Sequence, residues 1–247
     1  MCGPGVGARR TPPAVRAPEV ETPVQLVLPV RLTAAPSLDN FQGTANRELL
    51  ARLRDIASEP QQGRLWLVGS AGSGKSHLLT AVLSAAQTMG RAIATVDVAD
   101  SSADSLRSVA VAALVVVDGV DGIAGDAAWE ASLLQLCNEQ RGALVFASRR
   151  HPADAGFLLA DLRSRLAGCE IYRLAGLTDA DRTALLSMRA TALGIELPED
   201  VANYLLARLP RDAASLSAAI DSLDLASWRT QRRLTVPFVR AVLKDEA

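Results

Sequence analysis

Between residues 64 and 148 the chain alternates between two hydrophobic rhythms. RLWLVG (64–69), RAIATVDV (91–98), AALVVVD (112–118) and ALVFAS (143–148) are short and mostly apolar, the pattern of strands buried on both faces. SHLLTAVLSAAQTMG (76–90) and WEASLLQLCNEQRG (129–142) instead repeat apolar residues at helical spacing. Each is expected to end at its glycine, Gly90 or Gly142. Strand and helix in turn predict an α/β fold, a parallel sheet with helices on both faces. From 178 onward only the helical rhythm remains, in DADRTALLSMRATALG, PEDVANYLLARL, DAASLSAAIDSLDLASWRTQ and VPFVRAVLKDE. That change of texture predicts a small all-helical second domain. Trp66, Trp129 and Trp228 fall on apolar faces and are expected in cores. The sequence shows no internal repeat.

The 247 residues are 49% hydrophobic and 21% charged, sufficient for a buried core. A net charge of −1 gives no chain-wide basic surface for nucleic acid. Cys2, Cys137 and Cys169 are far apart and fit neither a zinc spacing nor a disulfide framework, which suits a reducing cytoplasm. No apolar run reaches the length of a membrane span, and the first 20 residues lack the apolar centre of a secretory signal. Gly and Pro recur through residues 1–23, which predicts a disordered tail. The short extended segment QLVLPVRL (25–32) follows it.

The strongest chemical signal is GSAGSGKS: Gly69, Ser70, Ala71, Gly72, Ser73, Gly74, Lys75 and Ser76. It stands between a predicted strand and a predicted helix, as a phosphate-binding loop must. Its glycines let backbone N–H groups turn toward phosphate oxygens, and the helix N-terminus adds partial positive charge. Lys75 supplies a full charge for the outer phosphates, and Ser76 a hydroxyl for Mg²⁺. Asp118 ends the third strand, where an aspartate can hold Mg²⁺ through water or simply begin a turn. Nucleotide hydrolases usually place a second acid directly after that aspartate to orient the attacking water; here the position is Gly119. Asp121, three residues on, reads as a surface turn residue, His77 as packing, and Arg232 and Arg233 as a solvated helix end.

GSAGSGKSHLL followed by VVVDGVDGIAG (115–125) resembles the DnaA branch of the AAA+ ATPases. LDNF (38–41) resembles the segment packed near the adenine in that branch, and DLRSRLAGCEIYRLAGLTDADR (161–182) the link from sheet domain to helical lid. ELPEDVANYLLARL and RRLTVPFVRAVLK resemble the lid of the Hda-like members, which inactivate DnaA. The resemblance covers about 23–247 and is weakest between 91 and 112. It implies a three-layer α-β-α AAA+ domain over 33–175 and a helical lid over 176–247, with ADP or ATP as ligand and Mg²⁺ as an option. The further DNA-reading helix-turn-helix domain of DnaA has no counterpart in this sequence, so recognition of origin boxes is not expected.

Taken alone, QLVLPV (25–30) reads as an edge strand or loop anchor. The resemblance makes 24–32 a peptide for the beta sliding clamp of DNA polymerase III, with DNA reached indirectly through the clamp. Gln25 would be the hydrogen-bonding anchor, Leu26, Leu28 and Val30 would fill an apolar groove, and Pro29 would lower the entropy lost on ordering. Val30 is smaller than the terminal apolar residue usual in that motif. The resemblance also makes Arg165 an arginine finger acting in trans on DnaA-bound ATP, with Arg163 as its neighbour. Two departures, Arg149 where a sensor aspartate is usual and Ala214 where a lid arginine is usual, join Gly119 in arguing against efficient hydrolysis by this chain. The expected function is a cytoplasmic regulator that returns DnaA to its ADP form and prevents over-initiation. A self-standing AAA+ ATPase such as a helicase loader is the alternative, and homo-oligomerisation stays open.

Overall fold

The computed structural model describes residues 36–59 and 63–245. The tail expected over 1–23 and the QLVLPV segment lie outside the described residues. Five strands, β1 (Arg64–Val68), β2 (Ile93–Asp97), β3 (Leu114–Asp118), β4 (Ala143–Ser148) and β5 (Glu170–Arg173), form one sheet in the order β2-β3-β4-β1-β5. Every neighbouring pair is parallel. Side chains alternate across a strand, so each central strand feeds two cores. Leu65 and Leu67 pack with α1 (Arg47–Ser58) and α2 (Lys75–Thr88) on one face, through Leu53, Ile56, Leu78 and Val82. Trp66 and Val68 point to the other face, against α3 (Ala103–Ser108), α4 (Ala127–Glu139) and α5 (Ala160–Ala167). Burial of a side chain of this size contributes about 1.5–3 kcal/mol. The third core belongs to the lid: α6 (Asp179–Leu193), α7 (Glu199–Arg208), α8 (Ala213–Thr230) and α9 (Val236–Asp245). The fold is the expected three-layer α-β-α sheet domain followed by a helical lid.

Three details differ from the sequence reading. Gly142 does not end α4; the helix stops at Glu139 and the chain turns through Gln140. Gly142 is instead a close-approach residue, since a Cβ there would lie 2.0 Å from the Ala113 carbonyl oxygen. Trp228 is not in a core and is 54% exposed. The buried stripe of α8 runs through Leu216, Ala219, Ile220 and Leu223, and Trp228, five residues past Leu223, has rotated off it. The fifth strand, β5, was not among the predicted elements; it lies at a sheet edge and its residues are half-buried or exposed, so it carries no continuous apolar run.

The joint between sheet domain and lid is built from polar side chains. Asn46 accepts from the Ala175 N–H at 2.9 Å and donates to the Ala175 carbonyl at 3.3 Å. Asp181 closes a capping box on α6 with Thr178 and also accepts from the Thr44 N–H at 3.3 Å. A bidentate pair, Arg189 with Asp221 at 2.8 and 2.9 Å, holds α6 to α8. Among the described residues no helix is long and apolar enough to cross a membrane.

Candidate nucleotide site and its far edge

The loop from Gly69 to Gly74 leaves the carboxyl end of β1, and α2 begins at Lys75. β4 lies beside β1 and β3 beside β4, so Asp118 reaches the same end of the sheet. This is where open parallel sheets place ligands. Gly72 and Gly74 have φ of 73° and 97°, the left-handed region that glycine occupies without strain. Lys75 folds back along the loop, its Nζ donating to the Gly69 and Ser70 carbonyls, each at 2.7 Å. Burial lowers the Lys75 pKa; Arg149 pushes the same way, while Asp118 and Asp121 oppose the shift. The Ser76 hydroxyl donates to Asp118 Oδ2 at 2.8 Å, bringing the two predicted metal-site oxygens together. Ser73 Oγ is buried with no hydrogen-bond partner, a polar atom left waiting inside the loop. Together these features fit a phosphate chain with its cation.

Gly119 has φ of 71°, and its N–H donates to Asp118 Oδ1 at 2.8 Å. A glutamate on this backbone would be strained as well as newly charged. Asp121 does more than face solvent: its Oδ1 accepts from the Arg149 N–H at 3.2 Å. The register of Val68 opposite Ser148 sets Arg149 beside Gly69. The position directly after Asp118 thus carries no carboxylate.

A cleft of about 450 Å³ opens next to the loop, lined by Phe41, Gly74 and His77 from the sheet domain and by Leu185, Met188 and Ala213 from the lid. Phe41 presses on Gly74 so closely that a Cβ there would lie 2.8 Å from its ring. The His77 ring lies tilted against Phe41, with centroids 5.6 Å apart, and makes hydrogen bonds with Asn40 Oδ1 at 3.0 Å and the Ser37 carbonyl at 3.3 Å. Burial lowers the His77 pKa despite the Ser37 contact, which leaves it neutral at pH 7. It serves packing, as expected. From the lid side, Asp212 caps α8 through Ser215 and lies against Gly72, whose Cβ would be 2.7 Å from its carboxylate. Sequence spacing around Ala214 gave no sign of that contact, which depends on how the lid folds over the loop.

Arg165 is elsewhere. It is exposed in the last turn of α5, beside a surface cavity of about 540 Å³ that also touches Arg64, Asn138 and Asp161. Arg64 is the first residue of β1, whereas the phosphate loop follows its last. A strand of that length spans roughly 15 Å, so Arg165 stands by the amino end of β1, opposite the carboxyl end from which this chain's own phosphate loop leaves. Arg163 is also exposed, and its positive charge helps to lower the Glu130 pKa. Glu130 itself escaped the sequence reading, although its spacing from Leu133 and Cys137 on α4 places a carboxylate on a buried stripe.

The family model described as "Hda, lid domain" matches residues 179–243. Over those residues the chain is similar to the lid of Hda. Its fold is shared with domain III of the Thermotoga maritima replication initiation protein DnaA, with a TM-score of 0.75 at 19% identity over 87% of this chain and 98% of that one. DnaA from Aquifex aeolicus, solved with AMPPCP, matches with a TM-score of 0.65 at 20% identity, over 80% of this chain and 68% of that one. The RuvB Holliday junction branch migration motor of Thermotoga maritima aligns with a TM-score of 0.66 at 19% identity, over 85% and 71% of the two chains. At these identities the matches establish the fold. The lid match adds a likeness to Hda over residues 179–243.

Proposed function

We propose that this protein restrains replication initiation: it binds the DNA-loaded sliding clamp through residues 25–30 and stimulates hydrolysis of ATP held by DnaA. The observation that carries the reading is the separation of Arg165 from the chain's own phosphate loop. A finger at that end of β1 serves a neighbouring molecule. The Hda-type lid and the glycine at 119 support the same division of labour, in which this chain supplies an arginine and DnaA supplies the ATP. Its own loop then serves as a holder. Lys75 and the loop N–H groups would bind the phosphates of ADP or ATP, Ser76 and Asp118 would take Mg²⁺, and the cleft between Phe41 and Met188 would take the base. Bound nucleotide fills the joint between sheet domain and lid and stabilises their arrangement by mass action.

The deciding experiment is reconstitution. Hydrolysis of DnaA-bound ATP is followed with and without clamp, DNA and this protein. Stimulation that requires all three supports the proposal, and its absence ends it. Two further outcomes are expected. Alone, the protein binds adenine nucleotide and turns ATP over very slowly; robust clamp-independent turnover that disappears in Lys75→Ala would make it an ATPase in its own right. Lys75→Ala weakens nucleotide binding by about tenfold or more, the usual effect of losing a charge-assisted hydrogen bond, as read by titration of a fluorescent ADP analogue.

A further inference from the structure

Glu130 is fully buried, with 0% exposure, and lies outside the nucleotide site. A carboxylate removed from water is costly unless donors replace the solvent. Here three backbone N–H groups do so. Glu130 Oε1 accepts from Gly125 at 2.8 Å, Leu158 donates to both carboxylate oxygens at 2.9 Å, and Leu159 donates to Oε2 at 2.8 Å. Burial pushes its pKa up, but the donors from Leu159, Gly125 and Leu158, aided by Arg163, outweigh burial and hold it below the ordinary carboxylate range. The group is ionised throughout the neutral range.

The donors lie in two segments that sequence does not connect. Gly125 follows the short 3₁₀ turn that leaves Asp118, immediately before α4. Leu158 and Leu159 lead into α5, and Leu159 is the N-cap of that helix but offers no side-chain cap of its own. An acceptor borrowed from α4 therefore holds the N-cap N–H and the N–H before it, at the entry to α5, a helix of 8 residues too short to hold itself. Arg165 projects from the last turn of the same helix. Leu162 and Leu166 bury the inner face of α5, and Glu130 fixes its entry. With the entry fixed, so is the stretch of backbone from which Arg165 extends.

The geometry points to Glu130 as the positioning residue for the arginine finger, a buried carboxylate that sets the aim of α5 while touching no nucleotide. This rests on the finger reading of Arg165. A glutamine is the sharpest probe. It keeps the size and one acceptor oxygen but turns an NH₂ group toward N–H donors that already occupy the other side.

The experiment uses full-length Glu130→Gln, with Arg165→Ala as companion. In the glutamine variant, amide exchange at Gly125, Leu158, Leu159 and through α5 should accelerate about tenfold or more, with exchange in α2 and the lid unchanged. Nucleotide binding should be unaltered. The maximal stimulated rate of DnaA-bound ATP hydrolysis should fall about tenfold, while the concentration giving half-maximal stimulation moves less than about twofold. A merely structural loss would lower the active fraction and spread faster exchange over the whole sheet domain. Unchanged α5 exchange, or full stimulation by Glu130→Gln while Arg165→Ala is inactive, overturns the proposal alone. Full stimulation by Arg165→Ala overturns the finger reading and this inference with it.

Discussion

Arg165→Ala is expected to fold, bind nucleotide and bind clamp as the parent does, yet to lose stimulation of DnaA-bound ATP hydrolysis by about 10³–10⁵-fold. That range corresponds to about 4–7 kcal/mol of transition-state stabilisation. The reason is chemical. As the phosphoryl group transfers, negative charge spreads over its oxygens, and a guanidinium held against them is worth most where water is excluded. Folding should be untouched because Arg165 is exposed and contributes to neither sheet core. Nucleotide binding should be untouched because the loop is at the other end of β1. Arg165→Lys should fail almost as badly, since a point charge does not reproduce the planar fork. Arg163→Ala should lose less, because Arg163 lies two residues before the finger position. Single-turnover hydrolysis by DnaA on the loaded clamp measures all three. Full stimulation by the alanine variant would end the claim that this protein completes another protein's active site.

The parts of this site that could be read directly are those whose chemistry needs adjacent residues. A phosphate loop draws its N–H groups, its lysine and its hydroxyl from eight consecutive positions, Gly69 to Ser76, so spacing alone exposes it. The central strands were legible because strands buried on both faces leave unbroken apolar runs. β5 was not, because an edge strand with exposed faces leaves none. The distance between Arg165 and the loop depends on that missing strand: the pairing of Leu65 with Glu170 shows that the chain leaves α5 at the amino end of the strands. The Asp212 contact with Gly72 and the Glu130 clamp are likewise contacts between segments remote in sequence. Hydrophobic rhythm assigns each segment a face but not a neighbour. Glu130 is the partial exception, since a charge on a buried stripe announces an unusual partner without naming it.

The second large effect concerns the peptide. Replacing Gln25, Leu26 and Leu28 together with alanine should weaken binding to the sliding clamp by about a hundredfold or more. Two leucine side chains that leave water on binding account for most of that, at about 1.5–3 kcal/mol each, with a further loss from the Gln25 anchor. Stability should not change measurably, because described residues between 38 and 239 already supply a core to the sheet domain and to the lid. Val30→Leu should act in the opposite direction and tighten the contact, by restoring the larger apolar residue. The kinetic signature separates this defect from the loss of the finger. A tether raises the effective concentration of the finger at DnaA but contributes nothing to the bond-breaking step. The triple variant should therefore need far more protein for half-maximal stimulation while approaching the parent's maximal rate, whereas Arg165→Ala should bind normally and never approach it. Surface-immobilised clamp and the hydrolysis assay together measure both quantities. Clamp binding by the triple variant equal to that of the parent would remove QLVLPV from the mechanism and leave the finger without its tether.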